Sequence, residues 1–210
     1  LACAEEPDHP LNRRQIERFE ALRRHLPPAR ASLANSSGIF LGPEARLDLC
    51  RPGVALYGVN PTPGRCNPMR PVVSLHAPVL QVHGVTEPGG VGYGAAYPIR
   101  AGSRIATVPV GYADGVPRSA GSRAVARIGA WEVLVAGRVS MDLITLDVTG
   151  LPEDAVQPGA AVELIGGPDG VDALAAVCGT IGYEVLTRLG GGRFERRHLG
   201  AGGGGGEAAA

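Results

Sequence analysis

Val110-Gly111-Tyr112-Ala113-Asp114-Gly115 carries an apolar run straight into a tyrosine flanked by glycines and an acidic turn. That spacing presents a phenol at a tight site. A phenol ordinarily titrates near ~10, so it works as a base at neutrality only beside a cation or hydrogen-bond donors. A tyrosine packed over a barrel rim is the competing reading. Gly137-Arg138-Val139-Ser140-Met141-Asp142 is a turn whose amide N–H groups could take a small carboxylate; a structural Arg–Asp pair is the alternative. Asn35-Ser36-Ser37-Gly38 offers backbone amides and a hydroxyl suited to a phosphate, or a plain turn or N-cap. In Arg51-Pro52-Gly53-Val54, Gly53 permits close approach of the backbone to a ligand. Arg51 lies where α/β proteins put ligand-binding groups, although a surface arginine has the same local sequence. Gly179-Thr180-Ile181-Gly182-Tyr183-Glu184 opens a helix, where amides and the Tyr183 hydroxyl could reach an anion or Thr180 could simply cap.

The elements that must position these groups fall into two patterns. Residues 12–25 carry Ile16, Phe19 and Leu22 at helical spacing, with Leu26 after them, and Pro27-Pro28 stops the helix. Residues 29–34 and 47–50 read as short strands, giving an α/β rhythm. Prolines at 61, 63, 68 and 71 mark a linker. Beyond it, residues 72–85, 103–110, 124–128, 131–135, 144–148 and 161–165 are apolar or alternating runs separated by turns. Regularly punctuated short strands indicate a barrel or sandwich, with Gly129-Ala130 as a tight hairpin turn. Helices are expected over 171–177 and 181–189. The Gly/Ala-rich tail is expected to be disordered.

The 210-residue chain is 44% hydrophobic and 19% charged, with a formal net charge of +0, which gives no electrostatic footprint for nucleic acid or an anionic membrane. No apolar run approaches the ~20 residues of a membrane span. Cys3, Cys50, Cys66 and Cys178 lack metal-ligand or disulfide-scaffold spacing and read as reduced thiols. All 20 residues of the Lys+Arg count are arginine. The chain therefore has no side-chain amine for Schiff-base chemistry, because arginine stays protonated and is a poor nucleophile.

In their order, the stretches HPLNRRQIERF, ANSSG, RPGVALYG, VGYADGV, GRVSMD and GTIGYEVLTRL resemble the alanine racemases, pyridoxal phosphate (PLP) enzymes of fold-type III. The resemblance runs to about Arg197. It implies the C-terminal part of a TIM-type α/β barrel over residues 1–65, a mostly β-strand barrel domain over 66–198 and a tail over 199–210. It implies that Ser36, Gly53, Val54 and Tyr183 bind the PLP phosphate, and that Arg51 faces the pyridine nitrogen. It makes Tyr112 the catalytic tyrosine exchanging a proton on one face of the substrate Cα. The Met141 amide would hold the substrate carboxylate. The implied setting is a cytoplasmic homodimer with a site shared between subunits, interconverting L- and D-alanine for peptidoglycan. The chain departs from the pattern in lacking the lysine that bears the cofactor and the histidine that links the catalytic tyrosine to the arginine. Gly190-Gly191-Gly192 lengthens the stretch before Arg193, and His198 stands where a tyrosine is usual. The expectation is a fragment that is inactive alone. The alternatives are a racemase of serine, lysine or another amino acid, and a non-catalytic chain paired with a full-length racemase.

Overall fold

The computed structural model describes residues 1–168, 170–189 and 193–200. The expectations for Gly190-Gly191-Gly192 and for residues 201–210 of the tail lie outside them.

The first region is built around α1 (Pro10–Arg23). Pro10 opens the helix where a missing N–H costs nothing, and His9 Nδ1 accepts the Leu11 N–H at 3.2 Å. The buried Asn12 donates to the carbonyls of Cys3 at 3.1 Å and Glu6 at 2.8 Å, tying the helix to the preceding turn. The expected strands at 29–34 and 47–50 do not form. One parallel bridge, Asn35 to Arg51, is all that remains of the pair. It is supported by N–H donation from Arg51 to Ala34 O at 2.9 Å and from Asp48 to Ala31 O at 3.2 Å. Parallel strands are stable when neighbours cover both sides, and these two segments pair only with each other. The single turn α2 (Pro43–Arg46) lies between them.

The linker is a packed connection. Asn60 N–H donates to Asp172 Oδ2 at 2.7 Å, and Asn67 Nδ2 donates to Gly58 O at 2.9 Å. Gly58 sits at φ 84° with its Cα against the Arg70 carbonyl, where a side chain has no room.

Beyond it, nine strands form among the described residues. β1 (Leu75–Pro78), β2 (Gln81–Gly84), β5 (Arg104–Val108), β6 (Val125–Ile128), β7 (Trp131–Val135), β8 (Ile144–Asp147) and β9 (Ala161–Ile165) make one antiparallel sheet in the order β1-β9-β6-β7-β8-β5-β2. β3 (Gly89–Val91) and β4 (Tyr97–Ile99) form a separate hairpin. The run expected over 72–85 is thus two strands at opposite edges of the sheet. The break comes at Pro78, after which Val79 N–H bonds to Ala160 O and Leu80 N–H to Thr107 O. Gly129, at φ 58°, makes the two-residue turn between Ile128 and Trp131. Alternate residues point into one core that includes Val108, Ile144, Leu146, Val148 and Val162, all at 0–1% exposure. α3 (Gly170–Cys178) and α4 (Gly182–Arg188) cover one end. Gly182 lies against Val59, where a Cβ would come within 2.7 Å of the valine Cγ1, and this brings α4 to the linker and the first region.

Candidate active site

The residues singled out in the sequence assemble into two groups. The first is at the Asn35–Arg51 bridge. Ser36, 2% exposed, holds its Oγ where it accepts the Gly53 N–H at 2.9 Å and the Ala55 N–H at 3.3 Å. Val54 and Ala55 begin a short 3-10 turn, so successive amides gather around one hydroxyl. A Cβ built on Gly53 meets nothing within 4 Å, so this corner faces open space. Tyr183 comes in from α4. Burial, and then the charge of Glu5, push its phenol above the ordinary tyrosine value, while its interaction with the Ser36 hydroxyl acts the other way. The result is a phenol that stays protonated and can donate. Ser37 Oγ, in the same turn, is buried and has no hydrogen-bond partner among the described residues. With the Gly53 and Ala55 amides spent on Ser36 Oγ, the donors that suit a phosphate here are the Val54 amide, which has no acceptor among the described residues, the Ser36 hydroxyl and the protonated Tyr183 phenol. Arg51 extends beside them, donating to Ser32 Oγ and to Leu33 O at 3.4 Å, and remains exposed.

The second group is on the β domain. Tyr112 opens a 3-10 turn (Tyr112–Asp114) and is 42% exposed. Its N–H donates to Ser140 O, and the Ala113 N–H to Met141 O, both at 3.0 Å. The tyrosine turn and the Met141 turn are therefore one backbone-bonded unit. Gly111 packs directly on the Ser140 and Met141 carbonyls, which explains the glycine before the tyrosine. No carbonyl among the described residues takes the Met141 N–H. Met141 also lines a shallow cleft of about 610 Å³ with Gly92, Tyr93, Gly94, Ser140, Asp142 and Leu143. The β3/β4 hairpin is held over this cleft by Tyr97, whose hydroxyl donates to Asp147 at 2.8 Å, and by the contact of Gly137 with the Val91 carbonyl.

The Arg138–Asp142 pair envisaged from sequence does not form. Arg138 lies near Gly94, and Asp142 faces Arg193 at 3.6 Å. Nor does Thr180 cap α4; Ile181 occupies the N-cap position without a side-chain bond, and the Thr180 hydroxyl donates to Glu184. Sequence reasoning missed Ala55, Tyr93 and Arg193. Tyr93 had the same signal as Tyr112, a glycine on its N-terminal side at the end of a strand. Arg193 had none, being 79 residues from the carboxylate it meets.

No single helix among the described residues is long and apolar enough to cross a membrane. The family model for the alanine racemase C-terminal domain matches residues 72–198, and that for the alanine racemase N-terminal domain matches residues 1–61. The alanine racemase of Rhodospirillum rubrum is 56% identical over 200 residues, 95% of this chain and 53% of that protein. The catabolic alanine racemase of Mesorhizobium japonicum is 50% identical over 95% of this chain and 52% of its own length. Among solved structures, the Bartonella henselae alanine racemase with covalently bound pyridoxal phosphate superposes with a TM-score of 0.87 at 38% identity, covering 95% of this chain and 55% of that one. The alanine racemase of Streptomyces lavendulae gives 0.88 at 34% identity, with 96% and 55% covered. The chain spans about half the length of the curated relatives it matches.

Proposed function

This chain belongs to the alanine racemase family, and from that premise we propose that it is the part of an L-/D-alanine racemase that holds the PLP phosphate and supplies one of the two proton-transfer groups. The observation carrying this reading is that the Gly53 and Ala55 amides fix the Ser36 hydroxyl beside the protonated Tyr183 phenol at a corner left open at Gly53. PLP, when bound, supplies the electron sink that makes a Cα–H acidic enough to exchange.

The chain's own residues do the rest. The Gly53 and Val54 backbone, the Ser36 hydroxyl and the Tyr183 hydroxyl hold the phosphate. Arg51, permanently charged and donor-only, would meet the pyridine nitrogen of PLP as a hydrogen-bond donor. Tyr112 takes a proton from, or returns one to, the alanine Cα on one face. The free Met141 amide holds the alanine carboxylate beside it. The second proton-transfer group is an amine absent from these 210 residues, which contain no lysine, so the chain alone does not racemise. Residues 1–65 act as the phosphate-holding segment and 66–198 as the β domain that carries the base. No hydrogen bond among the described residues joins the cradle to the Tyr112–Met141 unit, and the reading has each site of a homodimer completed by a second copy. Eight relatives at 44–56% identity are named alanine racemases, which favours alanine over serine or lysine as substrate. The setting is the bacterial cytoplasm, with D-alanine passing to peptidoglycan.

The test is PLP affinity in the protein carrying this chain. A hydrogen bond to a charged group contributes about 1.5–3 kcal/mol, so Ser36→Ala and Tyr183→Phe should each raise the PLP Kd by roughly 10- to 100-fold. Wild-type affinity in both variants would overturn the assignment.

A further inference from the structure

Asp114 is a charged side chain at 2% exposure, two residues from Tyr112, in a domain whose core is otherwise apolar. A carboxylate so placed needs full hydrogen bonding. It has three donors. Its Oδ2 accepts the Gly111 N–H at 2.9 Å, and its two oxygens receive the fork of Arg193, Nε on Oδ1 at 2.6 Å and Nη2 on Oδ2. The Arg193 hydrogen bonds hold the Asp114 carboxyl below the usual carboxylate range.

The same guanidinium reaches further. Nη2 lies 3.4 Å from the carbonyls of Pro109 and Asp142, and Nη1 lies 3.6 Å from the Asp142 carboxylate. Arg193 thus touches the strand exit before Tyr112, the turn containing Tyr112 and the residue after Met141. We propose that Asp114 and Arg193 are positioning residues: a bidentate clamp that sets the Tyr112 phenol in register with the Met141 amide. This deepens the reading of Tyr112 as the proton-transfer group and rests on it. The fork shape matters, because a lysine ammonium offers the charge but not two parallel donors with a further reach to Asp142. The other face of the turn is closed off by Gly115, at φ 100°, packed on the Arg188 carbonyl at the end of α4. On the Met141 side the clamp adds to the two backbone bonds from Tyr112 and Ala113 and links the turn onward to Asp142.

The experiment compares Arg193→Met, Arg193→Lys and Asp114→Asn with wild type in the PLP-loaded protein carrying this chain. Hydrogen exchange is read at the Tyr112 and Ala113 amides, which bond to Ser140 and Met141, against the strands β5 and β8 as internal reference. Arg193→Met should expose the two turn amides and leave β5 and β8 protected. Arg193→Lys should recover part of that protection, and Asp114→Asn, which keeps side-chain volume, should reproduce the selective loss. In the same samples kcat/KM for alanine should fall by about 100-fold, as misplacement of a reacting group by about an ångström does. The primary isotope effect from Cα-deuterated alanine should rise for one enantiomer only, the one whose proton Tyr112 removes. Protection lost equally across β5, β8 and the turn, or isotope effects that rise alike for both enantiomers, would overturn the clamp. Absence of racemisation in the wild type would count against the proposed function, while the exchange pattern decides the clamp separately.

Discussion

The two regions of this molecule carry the two proposed residue groups and differ in how much buried core surrounds them. The region carrying the phosphate cradle contributes only Val54 and Val59 to the main hydrophobic core, and it exposes Leu22, Leu26, Leu49, Leu56 and Tyr57. The β domain supplies the rest of that core and sets Tyr112 and Met141 at its rim. The proposed cradle and the proposed base are therefore positioned by different means. Ser36, Gly53 and Ala55 are held by hydrogen bonds across one isolated bridge, whereas Tyr112 is held by a packed sheet through two backbone bonds and the Arg193 fork.

The largest expected effect tests that contrast directly. Leu146→Ala, at 0% exposure in β8, should destabilise the β domain by about 2–5 kcal/mol, whereas Leu22→Ala, at 59% exposure on α1, should change stability by no more than about 0.5 kcal/mol. The single tryptophan, Trp131, sits in β7 and reports the β domain in urea titrations. Equal midpoint shifts for the two variants would break the comparison.

A smaller effect sharpens it. Asp114 has a folded pKa below its unfolded value, so its contribution to stability is fully present above the unfolded carboxylate range near ~3.9 and is lost as pH falls through the folded value. Stability of the β domain should hold from neutrality down to about pH 4 and then decline, and Asp114→Asn should flatten that decline. An Asn variant with an unchanged acid limb would mean that other carboxylates set it.

The β domain was largely legible because its signals are local. Residues 131–135 and 161–165 are strands at the expected limits, since antiparallel neighbours and a short hairpin reward simple alternation. β3 and β4 escaped notice because Gly-Gly-Val and Tyr-Pro-Ile are three residues long and contain the residues least suited to strands. The strands at 29–34 and 47–50 had the composition but not the partners, so only the Asn35–Arg51 bridge formed. In the proposed site, Tyr112, Ser36 and Gly53 were singled out through their glycines and turn chemistry. Arg193 was not, because a guanidinium that meets its carboxylate across 79 residues leaves no periodic trace.

As proposed, this chain contributes a base and a phosphate-holding segment to alanine racemisation. The most direct measurement replaces the matching half of the Rhodospirillum rubrum alanine racemase, 56% identical to this chain, with these residues and follows D-alanine formed from L-alanine in the presence of PLP. The account predicts turnover by the chimera and a loss of about 10²- to 10⁴-fold on Tyr112→Phe, the range of a general acid–base group. A chimera that folds and binds PLP but does not racemise, or a Tyr112→Phe variant that turns over as fast as its parent, would contradict it.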